Sequence, residues 1–238
     1  MKTKPDIIFE DDLIVAINKP GGLLSIPDRF DQEKESALSL LRSSRPELYT
    51  VHRIDRDTSG LLLFAKTTDA HRLLNLAFEE RLIKKLYLSV CHSKPTPPEG
   101  SIKAPIAHSP SGDGRMTIHP KGKESETLYK ITKSWKEFSL IECMPLTGRT
   151  HQIRIHLAYI GCPIVGDPLY GIEKELRIND IKKYARMSKT GEPSPPIIQR
   201  TALHAYQLEF NLGENAYSLT CPIPKDMRAL MNQLDKWQ

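Results

Sequence analysis

Apolar residues in this chain gather into short clusters broken by turn-forming residues. Leu13-Ile14-Val15-Ala16-Ile17 is an apolar run of strand length. It halts at Asn18-Lys19-Pro20-Gly21-Gly22, where proline and paired glycines impose a turn. A second run, Leu61-Leu62-Leu63-Phe64-Ala65, is entered through Asp57-Thr58-Ser59-Gly60. Ala70, Leu73, Leu74, Ala77 and Phe78 recur at helical spacing, which predicts an amphipathic helix over residues 69–81 capped by Thr68 or Asp69. Leu86, Leu88 and Val90 alternate with Tyr87 and Ser89, the pattern of a half-buried strand with Tyr87 on the face opposite the leucines. The stretch from Lys94 to Gly114 is rich in Pro, Ser and Gly and reads as loop.

Strand patterns return near Thr127–Thr132 and Phe138–Cys143. Ile153, Leu157 and Ile160 share one face of a helix that starts at Thr150 and ends at Gly161. Residues 172–199 are basic, then Pro-rich, and suggest a surface insertion. His204, Tyr206, Leu208 and Phe210 alternate on a further strand, and Met227, Leu230, Met231 and Leu234 mark a C-terminal helix. Strands and helices interleave without a βαβ rhythm, which predicts an α+β fold with a mixed or antiparallel sheet.

A length of 238 residues, 39% hydrophobic and 26% charged, suits one compact catalytic domain covering residues 1–238. No membrane-span-length apolar run and no secretory leader are visible, so a cytoplasmic protein without membrane association is expected. Cys91, Cys143, Cys162 and Cys221 are scattered without zinc-ligand spacing, which predicts reduced, buried thiols and no metal. The net charge of +5 permits a polyanionic partner without demanding one.

Two segments concentrate chemistry. His52-Arg53-Ile54-Asp55-Arg56-Asp57 packs carboxylates, guanidiniums and an imidazole against an apolar strand. By composition alone it fits a solvated turn as well as a site. A carboxylate at the mouth of a core strand, however, needs a cation to stay ionised, and arginine can supply a bidentate pair. Leu146-Thr147-Gly148-Arg149-Thr150-His151-Gln152-Ile153-Arg154 joins a strand to a helix N-terminus, which favours anions. His151 and His156, five apart, read as structural histidines.

With these residues in view the chain resembles the RluA family of RNA pseudouridine synthases. His52-Arg53-Ile54-Asp55 with Thr58-Ser59-Gly60 is similar to the family's HRLDxxTSG motif, with Ile54 for the usual leucine. Lys19-Pro20-Gly21-Gly22-Leu23, Lys85-Leu86-Tyr87, Thr147–Arg154, Gly166-Asp167-Pro168-Leu169-Tyr170-Gly171 and Arg200–Ala205 resemble its other segments in order.

The resemblance implies a central mixed, largely antiparallel sheet flanked by helices, and isomerisation of uridine to pseudouridine in a structured rRNA or tRNA stem-loop. It implies that Asp55 is the nucleophile, that Tyr87 stacks on the flipped base and that Arg149 pairs with the aspartate. It places Arg53, Lys85, Ile153 and Arg154 at the RNA. No cofactor and no DNA partner are implied, a monomer is expected, and no S4-type domain is expected before Lys19. Two other readings stay open: a catalytically idle RNA-binding or folding module of the same fold, and a hydrolase built on Asp55 and Asp57. The basic run Lys182, Lys183, Arg186 and Lys189 fits phosphate contact and a solvated face equally.

Overall fold

The computed structural model describes residues 5–31, 33–112, 114–172, 175–182 and 194–238. The chain, expected as one domain, divides into two compact units. Unit 1 holds residues 1–87 and 204–222, and unit 2 holds residues 88–203 and 223–238.

Unit 1 opens with β1 (Asp6–Glu10), β2 (Ile14–Lys19), α1 (Ala37–Arg42), β3 (Tyr49–Thr50), β4 (Ser59–Ala65) and α2 (Thr68–Glu79). Strand β5 (Lys84–His92) carries the chain into unit 2. There follow β6 (Glu99–Lys103), β7 (Ile106–His108), β8 (Met116–Ile118), β9 (Glu126–Ser134), β10 (Phe138–Pro145), α3 (Gln152–Tyr159) and α4 (Ile178–Ile181). The chain returns to unit 1 with β11 (Leu203–Leu212) and β12 (Asn215–Thr220), and α5 (Lys225–Trp237) closes unit 2.

Strand β4 explains the unbroken apolar run at its centre. It pairs antiparallel with β2, Leu63 opposite Ala16, and parallel with the start of β11, His204 opposite Ser59. Leu61, Leu63 and Ala65 enter one core with Ile14, Ala16, Ala70, Leu74 and Phe210. Leu62 and Phe64 enter a second core with Val15, Ile17, Leu38 and Leu41. A strand buried on both faces has no polar side to show. Gly60 sits where β11 comes closest: its φ is +112°, and a Cβ there would lie 2.2 Å from the Ala205 carbonyl oxygen. The parallel contact at the mouth of the site loop therefore requires glycine.

Helix α2 begins at Thr68, and its cap is Thr67, whose Oγ1 accepts the Ala70 N–H. This moves the expected cap back by one or two residues. The stretch expected as loop after Lys94 contains β6 and β7. Strand β6 buries only Ile102 and pairs with β9 as Glu99 opposite Lys130, and β7 pairs with β8 as a small hairpin. In unit 2, β10 pairs antiparallel with β9, Cys143 opposite Tyr129.

The expected insertion at 172–199 is in part anchored: Leu176, Ile181 and Ile198 are buried, and Lys182 places its ammonium 4.4 Å from the Trp237 ring centre. Lys183, Arg186 and Lys189 lie outside the described residues. All four cysteines are free and buried, and burial pushes each thiol pKa up. Among the described residues no helix is long and apolar enough to cross a membrane.

Candidate active site

Asp55 lies in the loop between β3 and β4, half-buried, and the loop is fastened through its backbone. Ser25 Oγ donates to the Ile54 carbonyl at 2.7 Å and accepts the Ile54 N–H at 3.1 Å. Lys19 is fully buried, and its Nζ donates to the carbonyls of Pro20 (3.0 Å), Leu23 (2.7 Å) and Arg56 (2.9 Å). An ammonium carries three N–H donors, and these acceptors match them in number. The Gly22 N–H, in a turn with φ +85°, also donates to Arg56 O at 2.8 Å. Thr58 N–H closes the loop onto Asp55 O at 3.2 Å. The Lys-Pro-Gly-Gly turn and the Asp55 loop are thus one fastened piece. The sequence shows Lys19 only as part of a turn motif. The one signal of its role is a lysine ending an apolar strand, where a charge needs partners.

His52 is a strut. Its Nε2 accepts the Leu63 N–H at 2.9 Å, two residues past the point where β3 ends, and its ring stacks on Phe78 at 4.8 Å. Burial, then the charge of Lys85, pushes its pKa down to about 3, so the ring is neutral at working pH and can accept that bond. The other end of the loop is held by Ser59, whose Oγ meets His204 Nδ1 at 3.0 Å, while His204 Nε2 donates to Cys221 O at 3.3 Å.

Tyr87 and Lys85 share one face of β5, since side chains two apart point the same way. The Tyr87 phenol is raised above its ordinary pKa, first by burial and then by the negative charge of Asp55. Asp55 and Tyr87 both belong to unit 1, and the phenol stays protonated at neutral pH. Lys85 is lowered by burial and by the positive charge of Arg81. Arg53 is exposed between half-buried His52 and buried Ile54. Arg56 faces solvent beside Asp57 at 3.2 Å, an exposed pair of small energetic weight.

In unit 2 the Thr147–Arg154 segment is knitted by Gln152. Its Oε1 accepts from Thr147 Oγ1 (2.7 Å) and Arg149 N–H (3.0 Å), and its Nε2 donates to Glu126 O (2.9 Å) and Thr127 Oγ1 (3.0 Å). Arg149 is half-buried, with Nε donating to Glu124 O at 3.1 Å. Arg154 is almost wholly buried, and its Nε and Nη2 donate to the two Asp167 carboxylate oxygens at 2.7 and 2.8 Å. Ile153 is buried as well. Ile153 and Arg154, both expected at the RNA, are thus largely buried. His151 and His156 are structural, as expected. His151 Nδ1 meets Tyr170 Oη at 3.0 Å, and His156 lies between Thr127 Oγ1 (2.9 Å) and Ala104 O (3.0 Å).

A family model described as RNA pseudouridylate synthase matches residues 13–159. Over 237 residues the chain is 35% identical to ribosomal large subunit pseudouridine synthase D of Nitrosomonas europaea, covering 96% of this chain and 64% of that protein. The chain thus spans less than two thirds of that relative's length. It is 38% identical over 175 residues to the dual-specificity RNA pseudouridine synthase RluA of Vibrio parahaemolyticus, covering 71% of this chain and 70% of the other. Among solved structures, human RNA pseudouridylate synthase domain containing 4 matches with a TM-score of 0.78 and 27% identity, covering 97% of this chain and 93% of that one.

Proposed function

The chain belongs to the RluA family of RNA pseudouridine synthases, and we propose on that footing that it isomerises a uridine in a structured rRNA or tRNA with Asp55 as nucleophile. The observation that supports this reading is the fastened loop that holds Asp55 half-buried in the unit that also carries Tyr87, with Ser25 on Ile54 and Lys19 and Gly22 on the Arg56 carbonyl.

The target base leaves its stack at a cost of a few kcal/mol, and stacking on the Tyr87 ring returns roughly 1–3 kcal/mol. Asp55 attacks the flipped nucleotide and the N1–C1′ bond breaks. The uracil turns and C5 bonds to C1′. The C5 proton leaves, N1 gains one, and the carboxylate is released. No electrons are gained or lost overall. The protonated Tyr87 serves as a stacking surface and a hydrogen-bond donor. The exposure of Arg53 beside Asp55 supports the role in entering the RNA that the resemblance gives it. Pseudouridine maps of total RNA from cells with and without the gene test the reading. Loss of one or a few sites on deletion is expected, and identical maps would refute it.

The resemblance gives Arg149 the task of pairing with Asp55. Arg149→Lys keeps the charge and loses the planar fork. It should fold with a melting temperature close to wild type and turn over far more slowly. Turnover near wild type in a normally stable Lys variant would remove Arg149 from that task.

A further inference from the structure

The bond from the Leu63 N–H to His52 Nε2, at 2.9 Å, fixes more than the loop. A main-chain N–H can only donate, so Nε2 must carry a lone pair and the neutral ring's one proton sits on Nδ1. The fold thus sets the tautomer. Stacking on Phe78, with ring centres 4.8 Å apart, sets the ring plane as well. An acceptor alone would serve Leu63, and an amide oxygen could supply it. What imidazole adds is an N–H on the other side of the ring, its direction already fixed.

Among the described residues that N–H has no acceptor: the one hydrogen bond of the ring is to Leu63. The buried side-chain atoms left without a partner are Ser194 Oγ, Thr201 Oγ1 and Gln238 Oε1, and His52 Nδ1 is not one of them. His52 is half-buried, so its Nδ1–H keeps contact with solvent. It lies three residues before Asp55, a span of at most about 11 Å. The chain between and beyond is fastened at Ile54 and Arg56, so this spacing is held. Exposed Arg53 follows directly, and the positive charge of Lys85 acts on the ring. A fixed donor among cations suits an anionic oxygen better than a base edge, which presents donors as well as acceptors. Neutral side chains, as well as arginines, make such backbone contacts in nucleic-acid complexes.

We propose that His52 is a substrate-binding residue whose Nδ1–H donates to an RNA phosphate oxygen beside the nucleotide that Asp55 attacks. This rests on the RNA reading above.

Two substitutions separate the two nitrogens. Glutamine places an amide oxygen where Nε2 accepts and leaves nothing at Nδ1. Asparagine places an amide N–H near Nδ1 and leaves Leu63 without its acceptor. The substrate is total RNA labelled with tritium at uracil C5, purified from cells lacking the gene. His52→Gln should melt within about 2–4 °C of wild type, while its KM rises about tenfold or more and kcat holds. The slope of log(kcat/KM) against log salt should not change, because a neutral donor displaces no counterion. His52→Asn should melt lower, by roughly 4–8 °C, yet keep its KM within about threefold of wild type. A wild-type KM in a stable His52→Gln, or an equal rise of KM in both variants, would overturn the contact. Nitrogen NMR of wild-type protein with isotope-labelled histidine needs no substitution. The His52 ring should show a protonated Nδ1 and a bare Nε2 at neutral pH, and the Nδ1 signal should shift when the RNA is added. The opposite tautomer, or no shift, would overturn the contact as well. No tritium release by wild type would instead overturn the RNA reading, and this proposal with it.

Discussion

Asp167→Ala is expected to lower stability by about 3–5 kcal/mol at neutral pH. The Asp167 side chain has no exposure and that of Arg154 is 5% exposed, so removing the carboxylate strips a buried guanidinium of two charged hydrogen bonds. It also strips the Leu169 and Tyr170 N–H groups, at 2.9 and 3.1 Å, of their shared acceptor.

Burial raises the Asp167 pKa, but the Arg154 hydrogen bond and charge and the two N–H donors outweigh it, leaving the carboxyl below its ordinary value. A folded pKa that is depressed contributes stability above the unfolded pKa of about 3.9 and loses it as pH falls through the folded value. Urea midpoints should therefore fall for wild type below about pH 4, and the Asp167→Ala curve should be flatter there. Arg154→Met added to Asp167→Ala should recover part of the loss, because the stranded charge is gone. A single variant within about 1 kcal/mol of wild type at neutral pH would show that the pair carries no such weight.

Asp55→Asn should abolish turnover while leaving the fold and RNA affinity nearly untouched. The loop is held by Ser25, Lys19, Gly22 and Thr58, and every one of these bonds goes to the backbone of residues 54–56. The carboxylate itself is needed for none of them. An amide keeps the shape but is a poor nucleophile, so the chemical step fails. Melting temperature should stay within about a degree or two, since Asn keeps the side chain's size and the loop's backbone bonds. Affinity for RNA should stay within a few-fold. Turnover near wild type would remove Asp55 from the chemistry. A collapse in melting temperature would give the side chain a structural task.

Strands β2 and β4 were legible because their side chains fill two cores, which leaves a continuous apolar signature. Helix α2 was legible from its three- and four-residue spacing. Other elements left weaker traces. Strand β6 buries a single apolar side chain, β1 alternates poorly along its length, and the six-residue α1 is started by a Ser36–Ser39 capping box rather than by a long periodic face. The motif residues Asp55 and Tyr87 stood out, and both fall in unit 1. What periodicity does not encode is which backbone carbonyls a side chain meets. Lys19 gathers three carbonyls, one of them 37 residues away, and Arg154 meets a carboxylate 13 residues on. Both are polar groups whose burial can be read only once the chain has closed around them.

The most direct test is to incubate the purified protein with RNA tritiated at uracil C5, taken from cells lacking the gene, and to resolve the digested nucleosides. Tritium released to water should match newly formed pseudouridine mole for mole, with no free uracil. Free uracil with abasic RNA, or no release at all, would contradict an isomerase with Asp55 at its centre.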